Sequence, residues 1–338
     1  MRSHFSLGIA AVALAATLGS APASAGAATR PGSRAEQAAA TFQHLSGQRL
    51  AKHQKPLLYA ASFTTSTIFV FDQSEKSPAS PKYTITSGLE YPNGITTDTA
   101  GNLYVTNEGS NALTIYAPGG STPAVTITTG MNVPFDVAVD SGGNIFVAND
   151  PSGQSPYINE YLAGQTSPAY TWYPPQSSST ITGLALLSPN SPGESTIYAT
   201  YYTYDQYGNA HGDVIDCYPG NSACFDVGYS FGRTAGVAVE ESPFQPSAPF
   251  DFLVADQSAP GIYNILNNTQ ITLFSTPDVP WYMAFNASRT DLFVTSGGSS
   301  VTQYAYPSMK KRRMYVGSGG FEGPEITGVA VTPAGTYF

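Results

Sequence analysis

Short apolar runs separated by polar turns dominate the chain, and the stretch from Leu89 to Gly130 shows this pattern most clearly. None of its runs is long enough for a helix, and none repeats its apolar residues every 3.6 positions or so. Their enrichment in β-branched and aromatic residues favours strands. The Asp, Asn, Gly and Pro residues between them supply the side-chain bonds and positive φ angles that turns need. The stretch therefore predicts four strands: Gly94–Thr97, Leu103–Thr106, Leu113–Tyr116 and Val125–Thr128.

This four-strand unit recurs along the chain. Copies of the second strand, Leu103–Thr106, are Ile145–Asn149, Ile197–Thr200, Phe252–Asp256 and Leu292–Ser296. Copies of the first strand are Val137–Asp140, Leu184–Leu186, Val237–Glu240 and Met283–Asn286. A repeat of about 40–55 residues with four short strands per copy is typical of the blades of a β-propeller.

The two ends of the repeat region each hold part of one unit. Leu57–Ser62 matches a second strand with no first strand before it, and Thr327–Thr332 matches a first strand with no second strand after it. Pairing the C-terminal strand with the N-terminal three strands would complete a blade and remove two open sheet edges. With five intact units between them, residues 57–338 are predicted to form an all-β, six-bladed β-propeller of four-stranded antiparallel blades.

The repeat resembles the NHL and YVTN families of β-propeller repeats. The residues that carry the resemblance are Pro92-Asn93-Gly94-Ile95, Asp98-x-x-Gly101-Asn102 and Leu103-Tyr104-Val105-Thr106-Asn107, and it extends over about residues 57–338. It implies a propeller fold. It implies no particular activity, because such folds host enzymes, receptors and scaffolds alike.

The segment before the repeats has two parts. Residues 1–25 have the layout of a secretory signal peptide, with Arg2, an apolar core from Leu7 to Leu18, and the cleavage pattern Ala23-Ser24-Ala25. The core is too short to span a membrane. We therefore expect cleavage near Ala25 and a secreted, periplasmic or cell-surface location, with no membrane span. Residues 26–56 are predicted to be a flexible basic linker.

The repeats carry the opposite charge to the linker. The whole chain has a formal net charge of −9, and residues 1–56 contain six basic side chains and one acidic one, so residues 57–338 carry −14. Such a surface repels phosphate backbones, and nucleic acid is not an expected partner. We expect a monomer, since the length is ample for a single propeller core.

Cysteine and basic residues mark two places in the repeats. Cys217 and Cys224 flank a turn in the fourth blade, and an exported chain is expected to join them as a disulfide across that hairpin. A metal pair is the alternative, although two thiolates are only half of a tetrahedral site. The basic run Lys310–Arg313 lies at the turn into an outermost strand. It would protect a sheet edge or form a docking patch for an acidic partner.

Functional residues are expected on one face of the propeller, where loops joining second to third strands and fourth to first strands surround the channel. The longest such loop is predicted in the fourth blade, from Tyr201 to Asp213. Aromatic faces beside amides and carboxylates suit sugar or peptide binding; the alternative is a surface loop packed on itself. Including two aromatic residues at the start of a first strand, the candidate ligand-binding residues are Tyr201, Tyr202, Tyr204, Asp205, Tyr207, Asn209, His211, Trp281 and Tyr282.

Oxygen ligands from several blades are expected on the same face. They could hold Ca²⁺, although turn capping also explains Asp and Asn residues at such places, and no other cofactor is expected. The candidate metal ligands are Asn93, Asp136, Asp150 and Asp256, and Glu108 and Asn149 are expected beside them.

Catalytic chemistry is limited by the residues that the repeats contain. His211 is the single histidine after residue 56. A His-rich zinc site therefore cannot be built, and a Ser-His-Asp triad would have to use a residue on the predicted loop. The favoured hypothesis is an exported, non-enzymatic propeller that binds a protein, peptide or glycan partner through its loop face.

Two alternative functions follow from resemblance. SMP-30-like lactonases and streptogramin lyases resemble this six-bladed architecture, which implies a metal-dependent hydrolase or lyase. The lactonases use a Glu, Asn and Asp set facing the channel; Asn93 and Asp136 are suitably placed, but no Glu completes the set, and the lyases need histidines that these repeats lack. The YVTN-like repeats imply, as a third hypothesis, a structural component of the cell surface.

Overall fold

The computed structural model is an all-β ring of six four-stranded antiparallel sheets, a six-bladed β-propeller. It describes residues 56–74, 79–176, 179–187, 195–218, 223–240, 251–266, 269–276, 278–286, 288–298, 300–316 and 325–332. The predicted signal peptide, and the predicted linker apart from Pro56, lie outside these residues. No helix in the described ranges is long and apolar enough to cross a membrane.

The strands follow the chain blade by blade. The first three are β1 (Leu57–Ser62), β2 (Thr67–Asp72) and β3 (Tyr83–Ile85). Blade 2 contains β4 (Pro92–Thr97), β5 (Leu103–Asn107), β6 (Ala112–Tyr116) and β7 (Val125–Ile127). Blade 3 contains β8 (Pro134–Val139), β9 (Ile145–Asn149), β10 (Tyr157–Tyr161) and β11 (Tyr170–Trp172).

The second half of the ring continues in the same order. Blade 4 contains β12 (Thr180–Leu187), β13 (Thr196–Tyr204), β14 (Ala210–Cys217) and β15 (Cys224–Asp226). Blade 5 contains β16 (Thr234–Glu240), β17 (Asp251–Asp256), β18 (Gly261–Leu266) and β19 (Thr269–Ser275). Blade 6 contains β20 (Pro280–Phe285), β21 (Asp291–Ser296), β22 (Ser300–Ala305) and β23 (Lys310–Val316), and the last strand is β24 (Ile326–Val331).

The first and last strands of the repeat region close the ring, as the repeat pattern predicted. Strand β24 pairs antiparallel with β1, with Leu58 opposite Val331 and Ala60 opposite Val329. The resulting sheet has the order β24-β1-β2-β3 and is blade 1. The backbone N–H of Leu57 also donates to the hydroxyl of Thr332 at 2.8 Å. Closure pairs edges that would otherwise be open to other chains.

The hydrophobic core is divided into six seams, one between each pair of neighbouring blades. In β1, Tyr59 and Ala61 pack into the seam with blade 2, whereas Leu58 and Ala60 pack into the seam with blade 6. Successive side chains of a strand point to opposite faces, so a strand sandwiched between two blades must be apolar on both. This explains why the strands read as continuous apolar runs.

The inner strands approach one another so closely that four of them carry glycine at the same position, namely Gly94, Gly183, Gly236 and Gly328. A Cβ on Gly328 would lie 2.3 Å from the carbonyl oxygen of Asn93. The remaining two inner strands have Asp136 and Tyr282 there, in opposite blades 3 and 6. Their neighbours in the ring are glycines: Asp136 lies against Gly94 and Tyr282 against Gly236.

The Asp-x-x-Gly-Asn motif of the repeat is a turn on the face away from these positions. Asp98 accepts hydrogen bonds from the backbone N–H of Asn102 at 2.9 Å and from its side-chain amide at 2.7 Å. Asp140 and Asn144 repeat both bonds in blade 3, each at 2.8 Å. The motif that carried the family resemblance therefore stabilises the link between first and second strands.

Two further predictions concern blades 4 and 6. Cys217 and Cys224 form the predicted disulfide. In the basic run, Arg312 pairs with Asp291 at 2.9 Å, and Arg313 donates to the backbone oxygen of Gln73 in blade 1. Half of the run therefore holds outer strand β23 in place, while Lys310 and Lys311 are exposed.

Candidate functional site: the mouth of the channel

The channel opens on the predicted loop face through a ring that takes one residue from each inner strand. Each of these residues precedes the Gly, Asp or Tyr position described above. Together they surround one end of a cavity of about 200 Å³. We call them the mouth ring: Asn93, Phe135, Thr182, Ala235, Trp281 and Thr327.

Residues from four blades, most of them in loops, form the rim above the mouth ring. The rim includes Phe63, Glu108, Tyr202, Arg233, Gln257 and Glu325. A second depression, of about 820 Å³, continues from the cavity over blades 5 and 6 and includes Ser258, Asp278 and Val279. The cavity and this groove share Arg233, Gln257, Trp281 and Glu325. The mouth is thus a half-open pocket that leads into a wider groove.

Tyr282 lines the cavity beside the mouth ring. The hydroxyl of Tyr282 donates to the side-chain oxygen of Asn93 at 3.3 Å, across the ring from blade 6 to blade 2. Burial raises the pKa of Tyr282 well above its usual value, and the charges of Asp136 and Glu108 raise it further. It therefore stays a neutral hydrogen-bond donor.

Asp136 connects blades 3 and 4 inside the wall. Its carboxylate accepts the backbone N–H of Leu184 at 2.7 Å and that of Val137 at 2.8 Å. Burial raises the pKa of Asp136 to about 7, and the two backbone hydrogen bonds oppose this rise. Its oxygens are thus engaged in holding neighbouring inner strands together.

Two carboxyl groups lie near each other on the side of blades 2 and 3. Burial raises the pKa of Glu108, and a hydrogen bond with the side chain of Asn93 opposes the rise. Burial, and then the charge of Glu108, raises the pKa of Asp150 to about 6. This side of the mouth can accept hydrogen bonds and binds protons more readily than isolated carboxylates do.

Arg233 is the basic residue of the cavity wall. Its guanidinium carbon lies 5.1 Å from the ring centroid of Tyr202, and one terminal nitrogen donates to the Tyr202 hydroxyl at 3.4 Å. Its Nε is buried and has no hydrogen-bond partner among the described residues. No described carboxylate forms an ion pair with it. The site therefore presents a positive group whose hydrogen-bonding capacity is incompletely used.

The predicted long loop of blade 4 is instead a β-hairpin, and this part of the prediction was wrong. Strand β13 continues to Tyr204 and β14 begins at Ala210, so only residues 205–209 form the turn. Asp205 accepts from the backbone N–H of Asn209 at 2.9 Å and from its side-chain amide at 2.9 Å. These are the same bonds that Asp98 makes with Asn102 and Asp140 with Asn144, in a third copy of the Asp-x-x-Gly-Asn turn.

The remaining residues of this segment divide between the hairpin and the mouth. His211 lies 3.3 Å from Asp205, whose pKa is lowered mainly by its bonds to Asn209. Tyr207 is 79% exposed at the tip. Tyr201 is buried in the seam with blade 3, and Tyr204 stacks edge-on against Tyr202. Of the nine predicted ligand-binding residues, the cavity brings together Tyr202, Trp281 and Tyr282.

The predicted metal ligands are largely engaged with backbone N–H groups. Asp256 accepts from Gly232 at 2.9 Å, and Asn149 accepts from Asn132 at 2.9 Å, so each anchors the segment that leads into its own blade's inner strand. Asp136 and Asn93 are engaged as described above. The described residues contain no group of three or more His, Cys, Asp or Glu side chains able to hold a metal ion.

Several residues of the mouth were missed from the sequence. Phe135, Thr182 and Thr327 could have been found by aligning the six inner strands, because they occupy the position of Asn93 and Trp281. Arg233 had a weaker signal: it is the single basic residue between Lys82 and Arg289. Gln257 and Glu325 had none that distinguishes them from other loop residues.

Comparisons with known proteins complete the description. No family model matches the sequence, and no curated protein matches it. Among solved structures, one described as "Streptogramin B lyase structure" is 11% identical, with a TM-score of 0.43, and the match covers 78% of this chain and 74% of that one. The class of protein defined by the strand pairing is a six-bladed β-propeller.

Proposed function

We propose that this chain is an exported, non-enzymatic β-propeller that binds a protein, peptide or glycan partner at the mouth of its channel. The observation that carries the proposal is the cavity opening into a groove, with Trp281 and Arg233 in the walls of both. A cavity of about 200 Å³ is smaller than the roughly 300–1,000 Å³ of pockets that enclose whole small ligands. It suits one side chain or one sugar ring of a longer molecule.

Aromatic walls support binding of such a partner. Phe63, Phe135 and Trp281 offer apolar faces, while Gln257 and Glu325 can fix orientation by hydrogen bonds. Large rigid aromatic residues give contact area at a small cost in conformational entropy. Export is supported by the signal-peptide pattern and by the Cys217–Cys224 disulfide, which is typical of oxidising compartments. The likeness to NHL and YVTN repeats fits the same proposal.

The proposal is tested by screening the purified protein on glycan and peptide arrays at physiological salt. We expect a ligand whose binding is lost in Trp281→Ala and kept in Tyr207→Ser, which removes an exposed aromatic ring outside the mouth. Thermal melts of both variants control for folding. If the arrays return no ligand while the protein turns over a small ester, the binding function is rejected.

One contact supports a metal-dependent hydrolase or lyase as a second candidate. Glu108 hydrogen-bonds with Asn93, which places a Glu beside the Asn of the lactonase-like set. Elemental analysis of the purified protein would find a stoichiometric divalent metal, and added Ca²⁺, Mn²⁺ or Mg²⁺ would activate lactone hydrolysis in the wild type but not in Glu108→Gln. Absence of both effects removes this candidate.

A further inference from the structure

Hydrogen-bond donors gather where the cavity meets the groove. Arg233, Gln257 and Trp281 line both depressions, and each carries N–H groups on its side chain. On the opposite side of the mouth lie Glu108 and, beyond it, Asp150. Acceptors are present on both sides, because Glu325 lines both depressions and Asp278 lines the groove, whereas these three donors lie on the side of blades 5 and 6.

The contacts of Arg233 with Tyr202 orient its guanidinium group. Tyr202 supports it from one side, and Tyr204 supports Tyr202 in turn, with ring centroids 5.4 Å apart. A buried Nε without an acceptor leaves a hydrogen bond unmade, which is unfavourable. A planar anion with two oxygens matches the fork of a guanidinium. The chemistry of this wall therefore fits a carboxylate.

The cavity next to this wall is shaped for one apolar group. Phe135, Trp281 and Tyr282 line it, and the small side chain of Ala235 in blade 5 leaves space between them. The larger groove starts at the same four shared residues and has room for several further residues of an extended chain. Glu325 at the junction can accept a backbone N–H from such a chain.

Charge decides between the two kinds of chain that could bring a carboxylate. An acidic polysaccharide repeats its negative charge and is repelled by a propeller of net charge −14, obtained from the chain's −9 by removing the +5 of residues 1–56. A polypeptide ends in a single carboxylate. The acidic propeller attracts a basic polypeptide and does not repel a neutral one. The acidic surface therefore favours a peptide terminus.

From these observations we infer that the mouth captures the C-terminus of a neutral or basic partner polypeptide. Arg233, with Gln257 and Trp281, binds the terminal carboxylate. The last side chain, an apolar one, enters the mouth ring, and the preceding residues lie in the groove over blades 5 and 6. This inference rests on the proposed binding function and specifies its ligand; capture of a terminal carboxylate is an established mode of peptide recognition.

The test compares fluorescein-labelled eight-residue peptides of Gly, Ser and Lys that end in Leu or Phe, each made as the free acid and as the C-terminal amide. Fluorescence polarisation measures their affinities at physiological salt. We expect the free acids to bind at least about tenfold more tightly than the amides, as hydrogen bonds to a charged group imply. In Arg233→Gln this ratio should fall to about one, with partial recovery in Arg233→Lys.

Lys310→Gln is the matched control, because it also removes one positive charge but lies on exposed strand β23. It should keep the acid-to-amide ratio of the wild type. Equal binding of acids and amides, an unchanged ratio in folded Arg233→Gln, or no binding of any free acid would each overturn the inference.

A glucuronate-capped oligosaccharide serves as the competitor from the other class. If it binds through Arg233 more tightly than every peptide, the assignment to a polypeptide is overturned while the binding function stands. If neither the peptides nor the glycan and peptide arrays give a ligand, the proposed function fails together with the inference.

Discussion

The mouth of the channel and the tip of the β13–β14 hairpin contain the same kinds of residue but use them differently. At the tip, Asp205 and Asn209 bond to each other and to the turn backbone, and Tyr207 is exposed. At the mouth, Arg233 and Trp281 stand in the walls of a cavity, and the Nε of Arg233 has no acceptor among the described residues. Hydrogen-bonding capacity left over after folding, rather than residue type, distinguishes a candidate binding site from a stabilised turn.

The largest effect is expected from adding one methyl group beside the mouth. In Gly328→Ala the new Cβ would lie 2.3 Å from the backbone oxygen of Asn93, so two inner strands must separate. We expect the free energy of unfolding to fall by about 3 kcal/mol or more in urea titrations. Gly208→Ala at the hairpin tip is the control: nothing lies within 4 Å of its Cβ, and its φ of +82° gives a cost of only about 1 kcal/mol. Equal losses in the two variants would contradict the close contact at the mouth.

The disulfide at the far end of the hairpin's second strand should give the next largest effect. The bond closes a short loop, since Cys217 and Cys224 are 7 positions apart. The double variant Cys217→Ser, Cys224→Ser should have a free energy of unfolding lower by about 2.5 kcal/mol, because the unfolded chain gains conformational entropy when the cross-link is removed. Ligand affinity at the mouth should not change. A loss of affinity in the folded variant would show that the two regions are coupled.

Asp136 should give the wall of the mouth a distinctive pH dependence. The folded protein keeps the Asp136 proton up to about pH 7, whereas the unfolded chain releases it near pH 4. The folded state thus binds more protons over this interval, and the free energy of unfolding falls as pH rises through it. Between about pH 5 and pH 7 the contribution is about 2 kcal/mol.

Asp136→Asn isolates that contribution, because the other carboxyl groups with raised pKa values, Glu108, Asp150, Glu160 and Asp213, remain in both proteins. Urea titrations at several pH values should show that the variant loses less stability than the wild type on going from pH 5 to pH 7. Parallel stability profiles would mean that Asp136 is already ionised in the folded protein at pH 5.

The smallest effect is expected at the tip itself. Tyr207→Ser removes a ring that is 79% exposed, so stability should change by less than about 0.5 kcal/mol. Binding of any ligand found for the mouth should also be unchanged, as measured by titration. A loss of affinity in this variant would extend the binding surface to the hairpin and remove the contrast between the two regions.

The sequence by itself determined the strands, the turns and the closure of the ring. Apolar runs such as Leu57–Ser62 state which segments are buried on both faces, and Asp98-x-x-Gly101-Asn102 encodes a turn through bonds within five residues. The unit at the start of the repeat region lacks a first strand, and the unit at its end has only a first strand. The two therefore complete one blade together. Bonds between residues close in sequence, together with the number of strands in each repeat, suffice for these features. The Cys217–Cys224 disulfide is predictable for the same reason, because its two residues are close in sequence.

Only the tertiary structure decided which polar residues are left for a ligand. The third Asp-x-x-Gly-Asn turn, at Asp205, was readable in the sequence but was interpreted as part of a binding loop. Asp256 became a loop anchor because the N–H of Gly232, 24 positions away, faces it. Arg233 became a candidate anion-binding group because Tyr202 holds it at a cavity assembled from all six inner strands. These properties depend on contacts between distant blades, which no local pattern specifies.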